Sequence, residues 1–132
     1  MTRSVLISGA GIAGPSLAYW LGRHGDDVTV VEQASGLRTS GSAVDFRGDQ
    51  LALLTRMGVL DEIRAARTGM GDQVIVDAAG RRRSTYPAAV FSGEVEIDRA
   101  DLARILYEHS APHAEYVFGD RITALTQDAG GV

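Results

Sequence analysis

The chain has no cysteine, and that absence removes disulfide scaffolds, thiolate metal sites and cysteine nucleophiles together. Proline is scarce at 3 of 132 residues, and there is no low-complexity segment or internal repeat. Nor is there a long apolar run at the start. Val5, Leu6 and Ile7 are followed at once by Ser8 and Gly9, too short a stretch for a secretory core or a membrane span. Basic charge is not in excess: 13 basic and 17 acidic residues leave a net charge of −4. No face is basic enough to hold a nucleic-acid backbone by charge alone. The expected partners therefore include no nucleic acid and no membrane, and the expected location is cytoplasmic. His24, His109 and His113 show neither metal-ligand spacing nor an acid partner, so no metal is expected. Ser8, Ser16 and Ser42 lie outside any nucleophile-elbow pattern. No catalytic residue is identified.

What the chain does have is glycine, 16 residues of it, in a sequence that is 45% hydrophobic. That apolar content and this length suit one globular domain. Its opening, "VLISGAGIAGPSLAYW", places Gly9, Gly11 and Gly14 between a β-branched run and a helical stretch. Residues 4–8 read as a buried strand. Residues 12–23 read as a helix with Ile12, Ala13, Leu17, Ala18 and Leu21 on its apolar stripe. "DVTVVE" at 27–32 is a second strand, and a strand, helix and strand in such close succession form a right-handed crossover between parallel neighbours.

The spacing of the glycines has a physical reading. Gly9 suits the tight turn that leaves the strand, Gly11 has no Cβ to obstruct a diphosphate, and Gly14 lets the helix pack closely on the sheet. The helix directs its unpaired N–H groups and its positive dipole end at the same turn. Pro15 is tolerated because first-turn N–H groups lack intrahelical partners. Glu32 closes the second strand about 20 residues on, where an acid holds a ribose hydroxyl pair and repels a 2′-phosphate. The fingerprint fits FAD and NAD alike.

Beyond Glu32 the order departs from a plain NAD domain. A long loop, "ASGLRTSGSAVDFRG" at 34–48, precedes two short helices at 50–57 and 60–66, broken at Gly58. Strands at 73–77 and 83–86 form a hairpin around "AAGR", with Arg81, Arg82 and Arg83 as a solvated turn. A strand at 94–97 leads to an amphipathic helix at 101–109 with Leu102, Ile105 and Leu106 inward. Strands at 115–118 and 121–127 complete the reading. The expected fold is α/β: a Rossmann-like FAD-binding βαβ unit with a parallel sheet, a β-hairpin and meander insertion, and truncation at the C-terminus.

Four segments carry a family resemblance: "GAGIAGPSLAYWLGRHGDDVTVVEQ", "GSAVDFRG", "LLTRMGVLDEIRAA" and "EIDRADLARIL". In these the chain resembles the N-terminal part of the FAD-dependent single-component aromatic-ring monooxygenases, the p-hydroxybenzoate hydroxylase-like group that includes polyketide- and tetracycline-type enzymes. The resemblance implies FAD as cofactor, NADH or NADPH as transient reductant, and transfer of one oxygen atom of dioxygen to an aromatic or polyketide-like small molecule. It implies that Gly9, Gly11, Ile12, Ala13 and Gly14 line the FAD diphosphate and that Glu32 binds the adenosine ribose. Arg99 falls where the family's FAD-contacting arginine precedes its helix. Its planar fork of donors also suits a diphosphate on chemical grounds, and the other reading is a surface ion pair with Asp98 or Asp101. Arg38 and Arg47 either approach the pyrophosphate or flavin edge or are solvated loop arginines. Gln33 departs from the family, which often has arginine there.

The other functional readings are an NAD-linked oxidoreductase module and a non-catalytic nucleotide-binding remnant. Residues 1–132 are expected to be the incomplete N-terminal part of an FAD-binding domain, because "DAGGV" opens a turn whose partner strand is unwritten. Alone, such a piece would be marginally stable and inactive as an oxygenase.

Overall fold

The computed structural model describes residues 2–69, 71–91 and 93–132. Among these the elements run β1 (Ser4–Ser8), α1 (Ala13–Arg23), β2 (Asp27–Glu32), β3 (Ala43–Phe46), α2 (Asp49–Met57), α3 (Leu60–Ala65), β4 (Gln73–Val76), β5 (Arg82–Tyr86), β6 (Val95–Asp98), α4 (Arg99–Ser110) and β7 (Glu115–Phe118). Single 3₁₀ turns occupy Ala88–Val90 and Ala111–His113. The chain divides into two compact units, one of residues 1–39 with 102–132 and one of residues 40–101.

The first unit is the expected crossover. Strands β1 and β2 pair in parallel with Ser4 opposite Asp27 and Ser8 opposite Val31, and β7 adds a third parallel strand on the far side of β2. Ile7, Val28 and Val30 alternate into a buried cluster with Ala10 and Ala18, the period-2 pattern of a strand with one face in the core. α4 meets β7 through Tyr107, whose ring stands edge-on to Tyr116 at 4.7 Å. Beneath it the fully buried Ser110 hydroxyl and the Tyr116 hydroxyl share a 2.6 Å hydrogen bond, and burial pushes the Tyr116 phenol up. At the other end of β2, the Arg3 guanidinium donates to both oxygens of Asp26, at 3.0 and 2.7 Å.

Helix α1 is turned from the expected stripe. Gly14, Pro15, Ala18 and Tyr19 are buried, whereas Ala13 is exposed and Leu17 is 49% exposed. Small residues set this rotation. A helix that must bring Gly14 against the β1 turn presents the Gly14 and Ala18 side to the sheet, whatever larger apolar residues sit elsewhere. Gly22 continues the close packing, because a Cβ there would lie 2.2 Å from the His113 carbonyl oxygen.

In the second unit α3 lies against β6, and Leu54, Met57, Val59, Leu60, Ile63, Val95 and Ile97 are buried. Gly58 takes a left-handed φ of 75° at the end of α2, the usual way for glycine to stop a helix. The hairpin β4–β5 forms as expected, with an irregularity between Ile75 and Val76. Its arginines are exposed, and Arg81 and Arg83 both pair with Asp77. The backbone N–H of Arg81, with further bonds from Ala79 and these guanidinium groups, holds the Asp77 carboxyl below its ordinary range.

Two further sequence expectations fail. Residues 34–48 are not wholly loop, because β3 forms there and pairs antiparallel with β6, Ala43 opposite Asp98. The segment is short and glycine-flanked, so only its distant partner makes it a strand. Residues 121–127 form no strand, and beyond them Asp128 bridges only to Gly131. An apolar alternation without a neighbour to share hydrogen bonds makes no ladder, and Leu125 is 67% exposed.

The tight seam at Gly22 gives a direct check. Gly22→Ala forces backbone apart rather than a mobile side-chain tip, so we expect a loss of about 1–3 kcal/mol, read as a lower urea midpoint. An unchanged midpoint would mean that α1 does not rest on the 111–113 turn.

Candidate functional site

The turn between β1 and α1 is assembled in the first unit. Gly9 leaves β1 with φ of 102°, a conformation open to glycine and strained for other residues. Its N–H donates to the Val31 carbonyl at 2.7 Å, prolonging the β1–β2 ladder by one bond into the turn. Gly14 closes the turn from the helix side: a Cβ there would lie 1.9 Å from the Gly9 carbonyl oxygen. Gly11 differs from both. It is exposed, and a Cβ added to it would meet no protein atom within 4 Å. Neither the packing of the chain nor a left-handed φ requires glycine at this position.

No side chain caps the N-terminus of α1, and its first turn has no acidic residue. The amides of Ile12, Ala13 and Gly14 precede the first intrahelical bond, which runs from the Ser16 N–H to the Ile12 carbonyl at 3.2 Å. Together with the open space over Gly11, they form a cradle of donors that a Cβ would fill, suited to an anionic diphosphate.

Glu32 is joined to this turn directly. Its Oε2 accepts from the Ala10 N–H at 2.8 Å and its Oε1 from the Ala34 N–H at 2.9 Å. These backbone donors, Ala34 first and Ala10 next, hold the carboxyl below its ordinary value of 4.5, and the charge of Arg38 adds to the effect. Each carboxylate oxygen has two acceptor positions. One bond to each leaves capacity for a pair of ligand hydroxyls.

A cleft beside Glu32 is lined by Ser8, Gly9, Val31, Glu32, Gln33, Asp120 and Arg121. Its rim is held by backbone bonds, from the Gly119 N–H to the Ala34 carbonyl at 2.9 Å and from the Asp120 N–H to the Glu32 carbonyl at 3.1 Å. Asp120 and Arg121 were not foreseen from sequence. The available signal was Gly119, with φ of 75°, ending the third parallel strand on the same side as the glycine turn.

Gly9, Gly11, Ile12, Ala13, Gly14 and Glu32 are thus brought together in one place. Arg38, also in this unit, is exposed. Arg47 and Arg99 belong to the second unit. Arg47 is engaged within it, donating to the Phe91 carbonyl at 3.1 Å and standing 3.6 Å from Asp45. Arg99 opens α4 with an exposed side chain. It forms no ion pair with Asp98 or Asp101 among the described residues, and Asp98 instead accepts from the Ala100 N–H at 2.8 Å. No group of histidines, aspartates and glutamates able to hold a metal occurs among the described residues. None of their helices is long and apolar enough to cross a membrane.

Two outcomes follow from this geometry. Gly11→Val should leave the unfolding midpoint of the ligand-free chain within about 0.5 kcal/mol of wild type, while titration with FAD shows binding abolished. Retained affinity would remove the diphosphate from this turn. The lowered Glu32 carboxyl gives stabilisation that is complete above its ordinary value of 4.5 and is lost as pH falls through the depressed folded-state value. Glu32→Gln places an amide N–H where one backbone N–H needs an acceptor. Its stability should be lower at neutral pH and change less on acidification, as followed by urea midpoints across that range.

Comparison with known proteins agrees with this geometry. A family described as an FAD binding domain matches residues 2–132. The chain is 40% identical over 136 residues to the uncharacterized protein Rv1260 of Mycobacterium tuberculosis, covering 98% of this chain and 37% of that protein. It is 41% identical over 133 residues to the flavin-dependent monooxygenase eupH of Phoma sp, covering 94% of this chain and 31% of that protein. Among solved structures, tetracycline destructase Tet(55) superposes with a TM-score of 0.84 at 36% identity, over 96% of this chain and 32% of that one. The monooxygenase PieE, solved with FAD and substrate, shares the fold with a TM-score of 0.79 at 22% identity, over 97% of this chain and 25% of that one. This chain spans about a third of the length of the first three. With its glycine cradle and Glu32 in place, the chain belongs to the FAD-binding domain family.

Proposed function

We propose that these residues hold FAD in a flavin-dependent monooxygenase acting on an aromatic or polyketide-like small molecule. The observation that carries the reading is the open, donor-lined space over Gly11, tied to Glu32 by the Ala10 amide. The amides of Gly11, Ile12, Ala13 and Gly14 are the proposed donors to the diphosphate. Gly9 shapes the turn and lines the cleft beside Glu32. Glu32 takes the adenosine ribose hydroxyls on its remaining acceptor positions, and the cleft beside it, bordered by Gln33, Asp120 and Arg121, receives the adjoining adenosine.

Of the arginines, Arg99 is the best further contact, because its fork of donors has no partner among the described residues and its motif matches the family. Arg38 reaches Glu32 through its charge and stands second. Arg47 is already bound to Phe91 and Asp45, so its work lies in holding the loop before α2. When bound, FAD would supply redox chemistry that these side chains lack, taking electrons from NADH or NADPH and passing them to dioxygen. The names of eupH and of Tet(55) support a monooxygenase with a small-molecule substrate. No residue of this chain is assigned to the oxygen-transfer step. A cytoplasmic location is part of the same reading.

The test is a titration of the chain with FAD and, separately, NAD⁺, followed by flavin retention on a sizing column. FAD should bind in preference to NAD⁺, and Arg99→Ala should weaken it by about 1.5–3 kcal/mol, the cost of one charged hydrogen bond. Arg99→Lys should recover part of the loss, since an ammonium keeps the charge without the fork. Preference for NAD⁺ would overturn the flavin reading. Equal retention in all three proteins would remove Arg99 from the site.

A further inference from the structure

Gly41 lies in the segment that leads into β3. Its φ is outside the left-handed region, so its backbone is one that any residue adopts. Conformation does not call for glycine here, but space does. A Cβ built on Gly41 would stand 2.8 Å from the Cβ of Arg99 and 3.2 Å from both its Cγ and its Cδ. The first of these atoms is fixed to the α4 backbone and cannot swing aside. The β3–β6 register accounts for the approach: Ala43 pairs with Asp98, so the residues before Ala43 run past the start of α4.

The arginine stem therefore lies flat along the glycine, while its guanidinium is exposed and unpaired among the described residues. A charged head on a confined stem loses less freedom when it meets an anion than one on a free stem. Nearby glycines contrast with this arrangement. Gly48 has a φ of 53°, and a Cβ there would meet nothing within 4 Å. It serves the turn into α2, whereas Gly41 serves a side chain.

We propose that Gly41 is a positioning residue that confines the Arg99 stem and so restricts its guanidinium for contact with FAD. This rests on the reading of Arg99 as an FAD contact. In the full chain, Gly41→Ala should weaken FAD binding by about tenfold, the lower end of the effect of one charged hydrogen bond. Arg99→Gly, which removes the whole obstructed side chain at the first position of α4, should weaken it at least as much. The double variant should bind no more weakly than Arg99→Gly alone, because the added methyl then has no stem to displace.

Fluorescence titration with FAD on the four proteins, with the melting temperature of each without ligand, separates the outcomes. Wild-type affinity in Gly41→Ala, with Arg99→Gly weakened, would overturn the positioning role and leave Arg99 in the site. The same loss recurring in the Arg99→Gly background would overturn it too, since Gly41 would then act through the loop. Wild-type affinity in Arg99→Gly would overturn the reading of Arg99 and the proposal with it. Should Gly41→Ala fail to fold, the proposal expects the double variant to fold, and a double variant that also fails makes Gly41 structural.

Discussion

The hydrogen bond from the Ala10 N–H to Glu32 Oε2, 2.8 Å long, joins the turn after β1 to the end of β2. Much of the first unit depends on where that turn is held. Gly9 needs its unusual φ so that the chain can reverse toward α1, and Gly14 needs to lack a Cβ so that α1 can come down on Gly9. The helix rotation follows from that approach, and with it the burial of Ala18 and Tyr19 and the exposure of Leu17. The same contacts leave the first-turn amides unpaired and facing open space. A packing constraint and the proposed anion site are thus products of one arrangement.

Glu32 has two tasks that a motif reading separates. As the expected ribose acid it would be a ligand, yet each of its oxygens already accepts a backbone N–H. The strut and the proposed ligand role are compatible because an ionised carboxylate has acceptor positions to spare. The backbone donors also keep it ionised, which suits an acceptor of hydroxyl groups. Removing the acid would therefore disturb the cradle as well as the ribose contact, and the two losses belong to one side chain.

Arginine provides all of the chain's 13 basic residues, and their environments sort them more sharply than their positions in the sequence. Arg81 and Arg83 close on Asp77, Arg3 on Asp26 and Arg47 on Asp45 and the Phe91 carbonyl. Each is engaged in holding local structure. Arg99 opens a helix, rests its stem on a glycine and forms no ion pair among the described residues. That difference separates it from the four arginines just named and underlies its proposed role as a ligand contact, and it could not be read from the spacing of Asp98, Arg99 and Asp101.

The sequence by itself determined the parts governed by local chemistry. Strand, glycine turn, helix and strand were legible from 4 to 32, as were the break at Gly58, the hairpin around residues 78–81 and the inward face of α4. Periodicity and backbone freedom act over a few residues, so they are written in a few residues. Tertiary structure decided the rest. It made 43–46 a strand by supplying β6, offered 121–127 no ladder partner among the described residues, and turned α1 toward its small residues instead of its large ones. It also brought Asp120 and Arg121 beside Glu32 and laid the Arg99 stem against Gly41. Each of these depends on a partner distant in the chain, and a strand, a cleft or a close contact has no local signal until its partner is in place.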